Sequence, residues 1–461
     1  INIQCGREMI NRKKNHQDVE RGTIGKKPPV PGPTRGGGIV TASLIKMAGV
    51  LIVMGMIFFA WNQYIPKKTY AVVIDAGSTG SRIHVYQFNA GFSGVELKDE
   101  LFEQLKPGLS SYAKEPAMGA ASLKPLLKHA LDIIPKSEMP KTPVMIGATA
   151  GLRMLPGTAA DELLEESRSL LRKEYSFKPF ADSAVSVMSG DDEGKFAWLA
   201  VNMLTKKLGA PAGKTVGVID LGGGSVQMMR ALEAKGKATA VPEYVTATSW
   251  QGKKYDLYVN SFLGFGLKAG RMAVLKQEGA AKACMPQFAA ETYKYNNEEA
   301  DATGGEGSNF DKCRAAAVKA LDVDKPCEVE EGCAFGGKWG AIEPGKPKEF
   351  FLLSYLYERI EQAGAGEYEP DEGIGVATVD ELAKAASRVC SMSLVDLKTA
   401  TKAGSIHPED PPYFCLDLSY IHALLTAGFR IDGRFKMAKK FDIDSVKYEA
   451  AWSLGAALEM L

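Results

Sequence analysis

Short apolar runs, each followed at once by a turn, recur through the first half of the chain. The runs are rich in β-branched residues, which is typical of buried strands. Two of them lead into glycine-rich loops that open with aspartate, DAGSTGSR at Asp75 to Arg82 and DLGGGSVQ at Asp220 to Gln227. The predicted strands cover residues 70–74, 143–147, 184–188 and 216–219.

Segments with apolar residues at helical spacing lie between these strands, at residues 120–134, 161–175 and 196–203. Strands that alternate with helices predict α/β lobes. With 461 residues, of which 45% are hydrophobic, the chain is long enough for two domains. We expect an acidic, turn-rich stretch before residue 120, loops over residues 270–350 and mainly helices over residues 350–430.

One longer apolar stretch, residues 39–61, has the length of a membrane-spanning helix and Lys46 as its only charge. The residues before it are basic and rich in proline and glycine, which indicates a disordered tail. A buried core helix is one alternative. A cleaved signal peptide is the other, because the uninterrupted apolar part covers only residues 47–61.

The positive charge that precedes this stretch favours an uncleaved anchor with its tail in the cytosol. We therefore predict a single-pass type II membrane protein. Residues 1–38 would be the cytosolic basic tail and residues 39–61 the transmembrane signal anchor, with the catalytic part lumenal or extracellular. The expected location is the Golgi or secretory pathway, or the cell surface. The chain starts with Ile1 rather than methionine, so the length of the tail stays open.

The seven cysteines agree with this topology. Cys5 falls in the tail, and the other six lie beyond the anchor, an even number suited to disulfides in an oxidising compartment. Six cysteines allow fifteen pairings. We expect Cys327–Cys333 as a small local loop, together with Cys284–Cys313 and Cys390–Cys415. Buried free thiols in a cytosolic protein are the alternative, and the absence of any Asn-x-Ser/Thr glycosylation site counts slightly in their favour.

The two glycine loops predict phosphate binding, because glycine lets several backbone N–H groups close on an anion. One such loop alone is more often only a turn, but two matching loops at strand ends make phosphate chemistry the leading interpretation. Asp75 and Asp220 are suited to hold a divalent cation, directly or through water. The 56 basic and 55 acidic residues nearly balance, so no global field points to nucleic acid.

Glu193 is the candidate general base, because it follows a predicted strand, lies among other acids and begins a helical segment. Thr149 and Arg153 follow another predicted strand and supply a hydroxyl and a guanidinium for the transferring phosphate oxygens. Taken in isolation, Glu193 is better explained as an acid that is favourable at a helix start, and Thr149 and Arg153 could simply cap a turn. Their combination with the two loops favours phosphoryl transfer to water.

The motifs together resemble the five apyrase conserved regions of the nucleoside triphosphate diphosphohydrolases. In chain order they are DAGSTGSR, ATAGLR, SGDDEGKFAWLAVN, DLGGGSVQ and AWSLGAALE. The resemblance runs from Ala71 to Leu461. The further segments YVNSFLGFGL, SNFDKCR and CAFGGKW look most like the plant-type apyrases. The single N-terminal anchor also fits the Golgi and secretory-pathway members of the family.

This resemblance implies an actin-like α/β fold of two ribonuclease-H-like lobes with a nucleotide cleft between them. Lobe I would comprise residues 69–190 and 437–461, and lobe II, which holds the disulfides, residues 191–436. The implied reaction is hydrolysis of nucleoside tri- or diphosphates to lower phosphates and orthophosphate. It would depend on Ca²⁺ or Mg²⁺ held by Asp75 and Asp220 through water, and no nucleic-acid partner is expected.

The resemblance also implies residue roles, with Glu193 as the catalytic base, Thr149 orienting water and Arg153 in support. Asp192 is the second choice for the base. The implied phosphate-binding residues are Gly77, Ser78, Thr79, Gly80 and Arg82 from the first lobe, and Gly222, Gly223, Gly224, Ser225 and Gln227 from the second. Tyr357 and Phe414 stand near the places where the family stacks the nucleobase, although aromatic residues in helices usually belong to the core.

Two alternatives remain beside a nucleotide hydrolase. An exopolyphosphatase-like hydrolase shares the paired loops and the acidic base, but the predicted anchor and the lumenal cysteines count against it. A catalytically inactive nucleotide-binding membrane protein is the alternative from another class, although every expected polar residue is present in the sequence.

Overall fold

The computed structural model divides the chain into two units, Ile1–Tyr64 and Ile65–Leu461. It describes residues 46–56, 66–77, 80–91, 94–233, 241–296, 298–327, 332–340, 342, 349–369, 373–402 and 410–461. In the first unit, helix α1 covers residues 46–56 and its side chains are exposed. It lies inside the predicted anchor, whose other residues, like the predicted tail, fall outside the described ranges. Within those ranges, no helix is long and apolar enough to span a bilayer.

The first sheet of the second unit has five strands, β1 Lys67–Ala76, β2 Ser81–Gly91, β3 Gly94–Leu105, β4 Val144–Ala148 and β5 Val185–Val187. Their order across the sheet is β3-β2-β1-β4-β5. β1, β4 and β5 are parallel to one another. β2 pairs antiparallel with β1, and β3 pairs antiparallel with β2. The three parallel strands therefore end at the same edge of the sheet.

The long strands β2 and β3 occupy the stretch that we predict to be turn-rich, so that prediction is wrong. On β2, Tyr86 and Phe88 are buried in one core cluster, and Ile83 and Val85 are buried in another. A strand that is apolar on both faces lacks the alternation that marks a half-exposed strand. The acidic residues that suggested turns lie mostly on β3, which forms the edge of the sheet and is half-buried.

The second sheet repeats this arrangement at larger size. Its eight strands are β6 Gly217–Leu221, β7 Ser225–Ala231, β8 Val245–Trp250, β9 Lys253–Leu263, β12 Phe350–Ser354, β13 Glu367–Tyr368, β14 Ile374–Thr378 and β15 Arg434–Ala438. The central order β9-β7-β6-β12-β15 has the same strand directions as β3-β2-β1-β4-β5. Both sheets thus place a glycine loop between their first two strands in sequence.

Two hairpins and a series of helices complete the unit. The hairpins pair β10 Ala290–Tyr295 with β11 Glu298–Thr303, and β16 Lys440–Ile443 with β17 Val446–Glu449. The helices are α2 Pro116–Ala121, α3 Lys124–Ile133, α4 Ala150–Arg153, α5 Ala159–Glu174, α6 Gly190–Leu204, α7 Leu267–Leu275, α8 Ala280–Cys284, α9 Phe310–Leu321, α10 Tyr355–Gln362, α11 Val379–Cys390, α12 Leu394–Lys402, α13 Phe414–Ala423 and α14 Trp452–Met460.

Two expectations about the second half of the chain need correction. Residues 350–430 contain β12, β13 and β14 as well as helices, because the run Phe350–Ser354 is a buried central strand too short to show a period. The region 270–350, which we expect to be loop-rich, contains helices and a hairpin among its described residues. The hairpin strands β10 and β11 are mostly polar and exposed, so their sequence carries little strand signal.

Helices α6 and α14 lie between the two sheets and share one apolar core with both. Val73 of the first sheet and Val218 of the second belong to this core cluster. The helix backbones approach so closely that a Cβ on Gly455 would lie 2.0 Å from the carbonyl oxygen of Phe196. The C-terminal helix therefore returns to the first sheet, as expected. The predicted boundary at Met437 falls inside β15, so the return begins after that strand.

Disulfides and a buried ion cluster stabilise the region around the second sheet, where two of the three disulfides link helices and the third closes a short loop. The disulfides join Cys284 to Cys313, Cys327 to Cys333 and Cys390 to Cys415, the same pairs that we predict from the sequence. In the ion cluster, Asp417 accepts hydrogen bonds from Arg271 and Arg359, at 2.7 Å from Nε of Arg271 and 3.0 Å from Nε of Arg359. Burial leaves all three side chains at most 3% exposed.

Asp417→Asn is expected to destabilise the fold, because it leaves two buried guanidinium groups without their shared carboxylate. Removing one partner of a buried ion pair costs about 3–5 kcal/mol. The free energy of unfolding, measured by denaturant titration with the disulfides intact, checks this. The control Asp132→Asn changes an exposed aspartate on α3 and should stay within about 0.5 kcal/mol of the parent. Equal stability of Asp417→Asn and the parent would contradict the structural role.

Candidate active site

A cleft of about 1030 Å³ opens where the parallel strands of both sheets end. Asp75 lies near the end of β1, Thr149 follows β4, and Glu193 lies in the first turn of α6, which begins shortly after β5. From the second sheet, Asp220 lies near the end of β6 and Ser354 ends β12. All five residues line the cleft. Open α/β sheets bind ligands at this edge, because loops from neighbouring strands converge there.

Asp75 and Asp220 are buried carboxylates with an unsatisfied oxygen each. Arg82 Nη1 donates a hydrogen bond to Asp75 Oδ2 at 3.1 Å, and the Ser354 side chain partly offsets the rise in the pKa of Asp220. Oδ1 of both aspartates is buried and has no hydrogen-bond partner among the described residues. Burial raises the pKa of both carboxyls, that of Asp220 to about 6, where the charge of Asp75 adds to the effect.

This donor set fits a divalent cation held through water. Buried oxygens without partners are costly unless a ligand satisfies them, and hard cations prefer carboxylate oxygen and water. In the described part of the chain, no three or more His, Cys, Asp or Glu side chains come close enough together to ligate a metal directly. The two aspartates therefore suit a hydrated cation better than a direct protein cage.

Glu193 is held by donors from both sheets. Arg153 Nη2 of α4 donates a hydrogen bond to Glu193 Oε2, and Gln227 Nε2 of β7 lies 3.2 Å from the same oxygen. Ser189 caps the helix, since its Oγ accepts a hydrogen bond from the Asp192 backbone N–H at 3.0 Å. These contacts fix the Glu193 carboxyl at the cleft, with 12% of its side chain exposed.

The pKa of Glu193 is raised to about 8. Burial is the main cause, the Arg153 guanidinium opposes it, and the charges of Asp220 and Asp75 raise the pKa further. A carboxyl with a high proton affinity at the end of a cleft is suited to accept a proton from water. Positive charge placed between the two aspartates would lower this pKa by removing their repulsion.

The second glycine loop rests on the N-terminus of α7. The backbone N–H groups of Leu267 and Lys268 donate to the carbonyl oxygens of Gly222 and Gly223 at 2.9 Å each. Gly266, just before α7, lies so close to the loop that a Cβ there would be 2.4 Å from the Ser225 backbone nitrogen. Any larger residue at this position would displace the loop.

Most of the predicted catalytic, phosphate-binding and metal-binding residues lie at the cleft. Those lining it are Gly77, Arg82, Thr149, Glu193, Gly222, Gly223, Gln227, Asp75 and Asp220. Gly80, Gly224 and Ser225 lie in the same loops but outside the lining, and Ser225 Oγ is 2.8 Å from Gln227 Nε2. Ser78 and Thr79 lie outside the described residues.

Of the two predicted nucleobase residues, only Tyr357 lines the cleft. Phe414 is 1% exposed and packs in the core of the second sheet, so the prediction for Phe414 is wrong. Every residue of α13 is buried, so this helix has no side facing a ligand. Tyr355, at the start of α10, lines the cleft instead.

Sequence reasoning also missed three supporting residues. Ser261 Oγ of β9 lies 3.1 Å from Gln227 Nε2, Ser354 lines the cleft and lowers the pKa of Asp220, and Gly266 supports the glycine loop. In the sequence, Gly264 and Gly266 lie close together just after a strand, a pattern that could have pointed to Gly266. The serines carry no distinguishing pattern in the sequence.

The profile of the GDA1/CD39 (nucleoside phosphatase) family matches residues 64–461, which includes both sheets and the whole cleft. The chain belongs to this family. Among known members, probable apyrase 1 of Oryza sativa subsp. japonica is 39% identical over 406 residues, covering 85% of this chain and 82% of the relative. The human nucleoside diphosphate phosphatase ENTPD5 is 34% identical over 412 residues, covering 85% and 87%.

The fold of this chain is also similar to that of a solved structure. The crystal structure of nucleoside triphosphate hydrolases from Neospora caninum matches with a TM-score of 0.60 at 16% identity, covering 91% of this chain and 97% of that one. At this identity the match concerns the fold alone. The α/β architecture with two mixed sheets is therefore shared with a nucleotide-hydrolase structure.

Gly266→Ala is expected to lower nucleotide hydrolysis by this GDA1/CD39 protein at least about tenfold, because the new Cβ displaces the glycine loop. Steady-state phosphate release measures the effect. The control Gly91→Ala adds the same methyl group at the end of β2, where the nearest atom, in Pro66, is 3.6 Å away. Unchanged kinetics in Gly266→Ala would show that the loop has more space than the structure gives it.

Proposed function

We propose that the chain hydrolyses the terminal phosphoanhydride bond of nucleoside tri- and diphosphates and releases orthophosphate. Family membership supports a nucleotide phosphohydrolase, and the relatives carry the names apyrase and nucleoside diphosphate phosphatase. The observation that carries the proposal is that Glu193, a largely buried carboxyl with a raised pKa, lines the same cleft as both glycine loops. Membership of this family also weighs against the exopolyphosphatase-like alternative.

In the proposed mechanism, Glu193 accepts a proton from a water molecule that attacks the terminal phosphorus. The bond from phosphorus to the bridging oxygen breaks, and the nucleotide with one phosphate fewer leaves. Arg82 and the backbone N–H groups of the glycine loops neutralise charge on the phosphate oxygens. Arg153 and Gln227 hold the Glu193 carboxyl through hydrogen bonds, and Thr149, which lines the cleft, is the proposed residue that orients water.

We propose that Asp75 and Asp220 hold Ca²⁺ or Mg²⁺ through water. The support is the pair of buried, unsatisfied Oδ1 atoms in one cleft. A divalent cation bound there supplies positive charge for the phosphate oxygens. Neutralising the two aspartates also lowers the pKa of Glu193 from about 8, so that more of it is ionised and able to act as a base near neutral pH.

We propose that the two matching sheets are the cores of two ribonuclease-H-like lobes of an actin-like fold, with the nucleotide between them. The repeated strand order supports this. Tyr357, with Tyr355 beside it in the cleft, is the proposed contact for the nucleobase.

We further propose a type II anchor at residues 39–61 and a lumenal or extracellular cleft, in the Golgi or secretory pathway or at the cell surface. The three disulfides support the oxidising compartment.

Glu193→Gln is expected to lower kcat about 10²–10⁴-fold, because the amide cannot accept the proton of water. Nucleotide binding should survive, since the amide keeps the shape of the side chain. Orthophosphate release from nucleoside tri- and diphosphates measures the loss. The control Asp192→Asn changes the neighbouring acid, which faces Ser189 and Lys195, and should keep most activity. Equal phosphate release by Glu193→Gln and the parent would remove Glu193 from the mechanism. If the parent itself releases no phosphate, the alternative of an inactive nucleotide-binding protein is favoured.

Chelation of divalent metal is expected to stop hydrolysis, because the two aspartates then lack the charge that pairs with the phosphates. Added Ca²⁺ or Mg²⁺ should restore the rate. Asp220→Asn should need a higher cation concentration for half-maximal rate than the parent does, because one of the two carboxylates is lost. The assay is phosphate release across a metal titration. A full rate in excess chelator would exclude the metal role.

A further inference from the structure

The backbone is strained at one residue that lines the cleft. Ser354, the last residue of β12, has φ 55° and ψ −127°. These angles are close to the mirror image of an extended conformation, which glycine adopts readily and which costs free energy for any residue with a Cβ. Nine non-glycine residues in the described part of the chain have a positive φ, and among them only Ser354 lines the cleft. A side chain kept where glycine would be easier points to a function for that side chain.

Capping of a helix does not explain the serine. β12 ends at Ser354 and α10 begins at the next residue, so the chain turns from strand to helix at a single position. Serine at such a position usually accepts a hydrogen bond from the backbone of the helix. Ser354 accepts no capping bond from α10, and the residue is exposed in the cleft. Its hydroxyl is therefore placed for the site and not for the helix.

Ser354 lies next to the proposed cation site. In the parallel ladder of β6 and β12, Asp220 pairs with the residue just before Ser354. The Ser354 side chain also partly offsets the rise in pKa that burial causes in Asp220, which is the effect of a hydroxyl on a nearby carboxylate. Oδ1 of Asp220 has no hydrogen-bond partner among the described residues, so it is available for a ligand.

The first sheet has an equivalent hydroxyl. β4 lies parallel beside β1 in the same way as β12 lies parallel beside β6. Thr149 is the N-cap residue of α4, which follows β4, and Ser354 is the N-cap residue of α10, which follows β12. Neither side chain caps its helix, and both residues line the cleft. Each sheet therefore supplies one aspartate, Asp75 or Asp220, and one hydroxyl that its helix does not use.

We propose that Ser354 is a positioning residue, whose hydroxyl fixes the Asp220 carboxylate for the hydrated cation. This inference rests on the proposed function, in which Asp220 helps to hold Ca²⁺ or Mg²⁺ through water. A hydrogen-bonding partner of a metal-binding group sets its orientation, and loss of such a partner typically lowers metal affinity about 10–100-fold. The strained backbone of Ser354 is then the consequence of placing the hydroxyl beside Asp220.

The test separates the cation requirement from the stability of the fold. Ser354→Ala removes the hydroxyl and keeps the strained Cβ, whereas Ser354→Gly removes both. Thermal unfolding of the full chain, with the disulfides intact, is followed in chelator and then across a Mg²⁺ titration without nucleotide. In chelator, Ser354→Gly should unfold at a higher temperature than Ser354→Ala, because the strain is relieved. Both variants should need about 10–100-fold more Mg²⁺ than the parent for the half-maximal rise in unfolding temperature.

Lys206 provides the matched control. It also has a positive φ, of 56°, but it is exposed, follows the end of α6 and does not line the cleft. Lys206→Gly should unfold at a higher temperature than Lys206→Ala, as in the Ser354 pair. Both Lys206 variants should keep the Mg²⁺ requirement of the parent, because no hydroxyl of the site is lost.

Three results would overturn the positioning role of Ser354. The first is a Mg²⁺ requirement of Ser354→Ala and Ser354→Gly equal to that of the parent. The second is a requirement that follows the unfolding temperature of each variant, as a purely structural role would produce. The third is an unfolding temperature in chelator that is lower for Ser354→Gly than for Ser354→Ala, because the position would then be unstrained. A parent that releases no orthophosphate from nucleotides overturns the proposed reaction instead, since the Mg²⁺ titration contains no nucleotide.

Discussion

The burial of three carboxyl groups in one cleft is the constraint on which the rest of the structure depends. Asp75, Asp220 and Glu193 come from different elements, and burial raises the pKa of each. The charge of Asp75 raises the pKa of Asp220 further, and both aspartates do the same to Glu193. Such an arrangement is unfavourable for folding by itself. It persists because two rigid sheets fix the strand ends, and because Arg82 and Arg153 offset part of the charge. The remaining negative charge is what a hydrated cation and a phosphate would complete.

Helix α6 connects the two sheets next to the cleft. α6 begins at the cleft with Glu193 in its first turn and continues between the sheets against α14. Gln227 of β7 and Arg153 of α4, the helix that follows β4, contact the same carboxylate oxygen. The position of Glu193 is therefore set by both halves of the fold together, and neither sheet alone would hold it.

The central site was predictable from the sequence because its signals are local. Asp75, Asp220, Thr149 and Glu193 each follow a short apolar strand, and strand ends meet at one edge. Residues whose role depends on packing were not predictable. Phe414 has an aromatic side chain of the right kind, but only the all-round burial of α13 shows that it belongs to the core. Gly266 acts through a backbone approach to Ser225, and β2 is apolar on both faces, so neither leaves a periodic pattern.

The near contact of Gly455 with the Phe196 backbone leaves α6 and α14 no room to slide past each other. Phe196 lies on α6 one turn after Glu193, and Gly455 lies in the first half of α14. The C-terminal helix therefore buttresses the turn of α6 that carries the reacting carboxyl. A side chain larger than glycine at position 455 would push on that turn from outside the cleft, so a residue that does not itself line the site helps to set its geometry.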